Sequence, residues 1–259
     1  MPKKSNIRWT DATWNPTTGC TRYSEGCDNC YAFQLHDQRH AAWKRGSMPR
    51  AAKQYHEPFS KVQLLRPPDW PKRLGEPLTW RQPCLVFVDS MADLFHKDVP
   101  HEFIDGVFGV MAQAPWHTFQ LLTKRPEEMR DYMVTDGRQA AVEAAAGLPR
   151  LPEWPLRNVW LGTSTENQRW ADERIPLLLK TPATVHFISA EPLLGPINLD
   201  GYLAPPDAAT HEATGAPTLD WVIAGGESGP RFRTMHEDWA RSLRDQCVAV
   251  ERMREPVVD

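Results

Sequence analysis

Short apolar runs recur along the chain at intervals of about one helix. They are Leu85–Val88, Thr118–Leu122, Val159–Leu161, Val185–Ile188 and Trp221–Ala224. They are nearly continuous in apolar character, as strands of a parallel sheet covered on both faces must be. Helical patterns fall between them. Phe103–Ala114 sets Phe103, Val107, Val110 and Met111 on one face, and Asn167–Leu179 and Glu237–Val250 follow the same rule. Ahead of these, Ile7–Asn15 alternates and is rich in Thr and Trp, as a strand requires, and Tyr31–Trp43 reads as a helix carrying Ala32, Leu35 and Ala42. A repeated strand–helix chain predicts an α/β fold, built as a parallel barrel or an open sheet. Two stretches are looser: Asp136–Pro155, with an Ala-rich helical piece, and the polar Gly201–Leu219. Neither reads as a boundary, so the 259 residues are expected to form one domain.

Three of the five cysteines lie in the segment after the first strand, where Trp14-Asn15-Pro16-Thr17-Thr18-Gly19 leads to Cys20, Cys27 and Cys30. An odd number cannot all be paired as disulfides. The polar N-terminus lacks a signal-peptide core and no apolar run is long enough for a membrane span, so a soluble cytoplasmic protein is expected, where thiols stay reduced. Two ligand chemistries suit the spacing. A 4Fe–4S cluster can sit on three thiolates with one iron open, or a zinc ion can take the three thiolates and His36 or His40. The interval from Cys30 to His36 is long for a zinc pair. Three unliganded thiols are the bland alternative, but a Gly-rich loop is a poor place to bury them. Cys84 and Cys247 read as packing residues, and most of the 11 tryptophans as core or groove wall.

Each expected strand is followed by a compact polar signature. After the cysteine loop come Asp89-Ser90-Met91-Ala92-Asp93, Thr123-Lys124-Arg125-Pro126-Glu127, Gly162-Thr163-Ser164-Thr165-Glu166-Asn167, Ser189-Ala190-Glu191-Pro192 and Gly225-Gly226-Glu227-Ser228-Gly229. In a parallel sheet these positions share the C-terminal edge, where such folds build their sites. One alone would be a helix cap, but together they predict a ring of charge around the cysteines. Gly225 and Gly226 let backbone approach a ligand closely. Glu166, Glu191 and Glu227 suit an amino group or ribose hydroxyls, and Lys124 and Arg125 a carboxylate or phosphate. Asp89 and Asp93 suit a polar substrate or a helix N-terminus, and Ser90 and Ser164 complete the set. His96, His117 and His186 stand in or beside apolar elements and are expected to be structural.

Residues 39–81 differ in character. Arg39, Lys44, Arg45, Arg50, Lys53, Lys61, Arg66, Lys72, Arg73 and Arg81 outnumber Glu57, Asp69 and Glu76, with Trp43, Tyr55, Phe59, Trp70 and Trp80 interleaved. This basic aromatic excursion can track a phosphate backbone and stack bases. Equally, its aromatics can pin a solvated excursion to the fold. The net charge of −3 gives no global argument for nucleic acid.

Trp-Asn-Pro-x-Thr-Gly-Cys followed by Gly-Cys-x-x-Cys-Tyr-Ala resembles the phage-encoded three-cysteine-motif proteins, a radical-SAM-like family of bacteriophages and prophages. Asp89-Ser90-Met91-Ala92-Asp93-Leu94-Phe95, Leu122-Thr123-Lys124-Arg125-Pro126, Gly162-Thr163-Ser164, Ser189-Ala190-Glu191-Pro192-Leu193 and Gly225-Gly226-Glu227-Ser228-Gly229 extend the resemblance over nearly the whole chain. It implies a partial TIM-type (β/α)6 barrel and a 4Fe–4S cluster on Cys20, Cys27 and Cys30. It further implies S-adenosylmethionine (SAM) on the open iron, cleaved reductively to a 5′-deoxyadenosyl radical that takes hydrogen from substrate. Tyr31 would flank the adenine or shield the cluster, an electron donor would be needed, and the host cell cytoplasm would be the setting. Three features depart from the wider superfamily: the first cysteine gap is six, Asn29 replaces the usual aromatic before the last cysteine, and Gly-Gly-Glu follows the sixth strand rather than the second. Relatives also continue into a further apolar strand where this chain runs Glu251 to Asp259, so a missing last strand and an open sheet edge are expected. The expected substrate is a small molecule, a nucleobase or a nucleic acid. A non-catalytic zinc module or a degenerate barrel acting as a phage interaction protein is the competing expectation.

Overall fold

The computed structural model describes residues 2, 4–49, 52–65, 72–203, 217–228 and 231–254, with side chains up to 250. Eight strands occur among them: β1 (Ala12–Trp14), β2 (Thr17–Thr18), β3 (Gln63–Leu64), β4 (Leu85–Val88), β5 (Thr118–Thr123), β6 (Val159–Ser164), β7 (His186–Ala190) and β8 (Trp221–Ala224). The helices are α1 (Tyr31–Lys44), α2 (His101–Gln113), α3 (Pro126–Val134), α4 (Arg138–Ala146), α5 (Gln168–Leu179) and α6 (Glu237–Arg254). Six strands form one sheet in the order β1-β4-β5-β6-β7-β8, every neighbouring pair parallel. The order is strictly that of the chain. Right-handed crossovers that always step the same way put every connection on one face, which curls the sheet as in a partial (β/α) barrel.

The two faces are filled differently. Val86, Val88, Phe119, Leu121, Val159, Leu161, Ile188 and Ala190 pack with Val107, Phe108, Met111, Ile175 and Leu178 of the helices into one core. The alternate residues point the other way. There Trp221 packs against Trp160 and Phe187, with ring centroids 5.9 and 5.6 Å away. Gly162 leaves room for the Phe187 ring, whose carbons would lie 2.6 Å from a Cβ at that position. Trp9 closes the same face, 4.7 Å from Phe87 and 6.1 Å from Trp221, with its carbonyl accepting from Gln120 Nε2.

The five later strands lie where their apolar runs predict. The first is shorter than Ile7–Asn15, because the chain turns at Ile7–Thr10 instead of extending. Ile7 N donates to Ser5 Oγ, Thr10 N to Ile7 O and Thr10 Oγ1 to Leu85 O. That turn carries Trp9 under the sheet. Asn167 caps α5, its Oδ1 accepting from Trp170 N. β1 is bridged on its outer side by Lys4, and β8 ends the sheet opposite. The expected missing last strand concerns Glu251 to Asp259, of which 251–254 continue α6 and 255–259 lie outside the described residues. No helix among the described residues is long and apolar enough to cross a membrane.

Candidate functional site

The cysteine loop leaves β1 and crosses the C-terminal edge of the sheet. Thr17–Thr18 first pair antiparallel with Gln63–Leu64. Gly19 then takes φ +95°, and Cys20 N donates to Phe59 O at 2.8 Å. Cys27 ends a 3-10 turn, and Cys30 stands at the cap position of α1. All three thiols are free, Cys27 buried and the others half-buried. Burial pushes the Cys20 thiol up to about 12, Asp93 adding to it and the Arg125 guanidinium opposing it. Burial also raises Cys30, against the α1 amides of Ala32 and Phe33 and the Lys124 ammonium. Cys27 raises both of its neighbours, so it acts electrostatically on each.

Residues from the end of every other strand of the sheet hold this loop or one another around it. After β4, Asp89 accepts Thr17 N at 3.0 Å and Thr17 Oγ1 at 2.8 Å, and Ser90 O accepts the Tyr31 hydroxyl at 2.6 Å. Asp93 accepts from Thr123 Oγ1 and Arg125 Nη1. Arg125, after β5, donates to Thr21 Oγ1 and lies 3.9 Å from Cys20 Sγ, while His96 Nε2 meets Thr21 Oγ1 at 2.8 Å. After β6, the fully buried Glu166 accepts from Ser24 Oγ at 2.6 Å, Lys124 Nζ at 2.5 Å and Arg174 Nη1 at 2.9 Å. Asn167 and Trp170 both donate to the Glu25 carboxylate. After β7, Glu191 accepts from Trp9 Nε1 and Ser189 Oγ and lies against Gly225, where a Cβ would be 2.4 Å from its Oε1. After β8, Glu227 accepts from Asn29 Nδ2, and Arg233 donates to Glu227 and to Glu25 O.

The expected ring of charge is thus largely neutralised from within. Burial favours a protonated Glu166, but Lys124 and Arg174 together hold it below its ordinary value. Hydrogen bonds from Arg233 hold Glu227 at about 2. Asp89, Lys124, Glu166 and Glu227 are therefore committed to protein partners. Ser164 lies within β6, its carbonyl accepting from Arg174. Tyr31 stands at the mouth; burial pushes its phenol up, Cys30 and Glu191 add to the rise and the bond to Ser90 O opposes it. Gly226 has room for a Cβ, its nearest neighbour being Met235 Cβ at 3.5 Å. Of the three histidines expected to be structural, His117 and His186 bond to backbone carbonyls, whereas His96 anchors the loop.

Glu25, Asn29, Arg174 and Arg233 are the loop holders that sequence reasoning missed. Arg233 and Glu25 are 208 residues apart, and no local pattern marks such a pair.

Among the described residues, no three His, Cys, Asp or Glu side chains are placed to hold a single metal ion. Of the histidines considered for zinc, His36 Nε2 lies 2.9 Å from Glu57 O and His40 Nδ1 lies 2.8 Å from Tyr55 O. Their face of α1 packs on the basic excursion. Phe33 meets Phe59, His36 meets Tyr55, and Trp43 meets His56. Phe59 and Trp80 are buried, and Arg39 covers the Tyr55 ring. Lys61 pairs with Glu57 and Arg73 with Glu76, leaving Lys44, Arg45, Lys72 and Arg81 exposed. Trp43, Lys44, Gly46, Met48 and His56 line a surface cleft of about 510 Å³. Arg50, Arg66 and Trp70 lie outside the described residues.

Asp89 yields a pH prediction. Burial is the main cause raising its carboxyl to about 8; the Thr17 hydrogen bonds oppose the rise and Asp93 adds to it. The folded chain therefore holds this proton more tightly than the unfolded chain. The associated stability is complete below the unfolded value near 4 and is lost as pH rises through about 8. Asn accepts from Thr17 N and donates to Thr17 Oγ1 without that charge, and it tolerates the φ of 57° at this site. Asp89→Asn is expected to raise stability by about 1–3 kcal/mol at pH 9 and by less at pH 5. Urea unfolding at the two pH values tests this; an equal change at both contradicts the assignment.

No curated protein and no solved structure matches the chain. A family model does match, over residues 4–253. The chain belongs to that family, described as protein of unknown function (DUF5131).

Proposed function

We propose that the chain is a radical-SAM-type iron–sulfur enzyme whose cluster is ligated by Cys20, Cys27 and Cys30. The observation that carries this reading is three free thiols on one clamped loop at the C-terminal edge of a parallel sheet, with the Arg125 guanidinium 3.9 Å from Cys20 Sγ. Three cysteine thiolates can each take a separate iron of a cluster and leave a fourth open. A zinc ion on the three thiols with His36 or His40 is the competing reading; each ring has one nitrogen on a backbone carbonyl of residues 55–57.

Arg125 and Lys124 offset negative charge at Cys20 and Cys30, as a group held by thiolates requires. Asp93 orients Arg125, and Glu166 orients Lys124. Tyr31, Ser90, Ser164, Glu191, Gly225 and Gly226 are the residues to which we assign SAM, with Tyr31 flanking the adenine and the glycines admitting backbone contact. Asp89, Lys124, Glu166 and Glu227, counted with them on sequence grounds, act by holding the loop. A 4Fe–4S cluster held by Cys20, Cys27 and Cys30 would supply, with one electron from an external donor, the reductive cleavage of SAM held by the residues assigned to it and hydrogen abstraction from substrate.

Anaerobic purification with iron, sulfide and zinc assays and a visible spectrum tests the proposal. About four irons with matching sulfide and a broad visible shoulder are expected, lost when Cys20, Cys27 and Cys30 are replaced by Ala. Methionine release from SAM under a strong reductant is expected only from the iron-loaded parent. One zinc without colour overturns the reading, and a cluster without SAM cleavage leaves a binding protein.

A further inference from the structure

Among the described residues, the large apolar side chains most open to solvent are Tyr23, Tyr31, Leu78, Trp116, Val134 and Phe232. Three of the four aromatic ones stand on or against the cysteine loop. Phe232 is the most open of all, at 59% exposure. It is brought there by Asn29, whose Nδ2 donates to Glu227 Oε2 at 2.9 Å and to Arg231 O at 3.0 Å. The segment after the last strand is thereby tied next to Cys30 and Tyr31. The Tyr31 hydroxyl is fixed on Ser90 O, yet the residue remains 43% exposed.

Charge around these rings is unevenly committed. Lys124, Arg125, Arg174 and Arg233 all have carboxylate partners. Arg22 and Arg231 are exposed, and among the described residues neither has a carboxylate within ion-pair distance. Arg22 lies over the Phe33 ring at 4.7 Å. Of the nearby acids, Glu25 and Glu227 are taken up by hydrogen bonds and Asp28 lies 3.6 Å from Arg233, while the exposed Glu128 and Glu173 stand on the Tyr23 side. The Tyr23 ring is covered by Arg125 at 5.2 Å and Arg174 at 5.3 Å, so the loop's outer surface offers the exposed rings of Tyr31 and Phe232 beside Arg22 and Arg231, which have no carboxylate partner among the described residues.

We propose that the exposed rim of the cysteine loop, Tyr31 with Arg231 and Phe232 and with Arg22 lying over Phe33 of the same helix, binds single-stranded nucleic acid. The rings stack unpaired bases and the two arginines take phosphates. A duplex, with its bases stacked on each other, offers the rings nothing. An apolar protein partner would find guanidinium groups where it needs aliphatic contacts. This adds a substrate class to the enzyme proposed above, and rests on that reading only for the chemistry that follows binding. It also separates the nucleic-acid site from the excursion at 39–81, whose rings largely pack against α1 and the core.

The test is fluorescence anisotropy of the full chain with a labelled single strand of about 12 nucleotides at several salt concentrations. Binding that weakens with salt is expected, and an unlabelled duplex should compete poorly. Phe232→Ala and Arg231→Glu should each weaken binding about tenfold, whereas Trp43→Ala, in the distant cleft, should not change it. Circular dichroism of each variant checks folding. No binding at low salt, duplex competing as well as single strand, or loss on Trp43→Ala with the rim variants unaffected overturns the proposal. Iron content of the same preparations reports on the cluster separately. Rim-dependent binding without iron supports the platform and sinks the enzyme reading; iron without binding overturns the platform alone.

Discussion

Gly19→Ala is expected to destabilise the chain by about 2–5 kcal/mol and to abolish most of its iron uptake. Two costs coincide at this position. The backbone sits at φ +95°, which an L side chain rarely adopts, and a Cβ would lie 2.2 Å from Lys61 O and 2.9 Å from Phe59 O. Both obstacles are backbone atoms and cannot swing aside. Phe59 O is also the acceptor for Cys20 N, so relief of the clash moves the first cysteine directly. Gly46→Ala is the matched control. Its φ is +70°, but a Cβ there meets open space, so only the conformational cost of about 1–2 kcal/mol is expected, with iron uptake unchanged. Urea unfolding and iron assays on both variants decide the matter. A Gly19→Ala chain as stable and as iron-rich as Gly46→Ala would mean that the loop does not follow this path. Gly26 repeats the argument against a side chain: a Cβ would lie 2.3 Å from Glu166 Oε1, and Glu166 is held by three donors.

The parallel sheet was legible because strands buried on both faces leave unbroken apolar runs. β4, β5, β6 and β7 are such strands, β8 at the edge being half-buried, and their alternate residues serve two separate fillings: helices on one face, Trp9 and the ring stack on the other. β2 and β3, two residues each, have no pattern to read. α1 was legible in extent but not in facing. Its packing face is Phe33, His36, His40 and Trp43, a set that a hydropathy pattern scores as mixed. The same blindness left the excursion's aromatics with two readings, because ring-to-ring packing and base stacking call for the same residue types.

At the site, the cysteines and the strand-end positions could be read, since both are local. Which polar groups satisfy one another could not. Lys124 and Glu166 each look like ligand-binding groups until the sheet places one beside the other. Curvature brings successive strand ends together over the mouth, so opposite charges set there find each other unless a ligand intervenes. Arg174 illustrates the limit. It is a helix residue with no motif around it, yet it completes the coordination of Glu166.

Removing the Glu166 carboxylate should be the most destabilising single change at the clamp. The side chain is fully buried, and it balances Lys124 and the almost equally buried Arg174. Arg174 has no slack: its Nε and Nη2 have no hydrogen-bond partner, and its guanidinium lies 4.0 Å over the Trp170 ring. Without Glu166, Arg174 keeps only Ser164 O as an oxygen partner and remains a buried, uncompensated cation. Breaking a buried pair from one side costs about 3–5 kcal/mol, so Glu166→Ala should shift the urea midpoint strongly downward. Removing both charges should cost less than removing one, because a well-packed apolar replacement avoids desolvating Arg174. Glu166→Ala with Arg174→Met is therefore expected to recover part of the loss, which a double-mutant cycle measures directly. The cycle reports on the pair, and the thiols report on the loop. Ser24 loses its acceptor with Glu166, so Cys27, now 7% exposed, should react faster with a thiol reagent in Glu166→Ala than in the parent. An unchanged midpoint with unchanged Cys27 reactivity would show that the loop is held by Arg233, Asn167 and Arg125 without need of Glu166. A lowered midpoint with unchanged reactivity would assign Glu166 to the barrel and not to the loop.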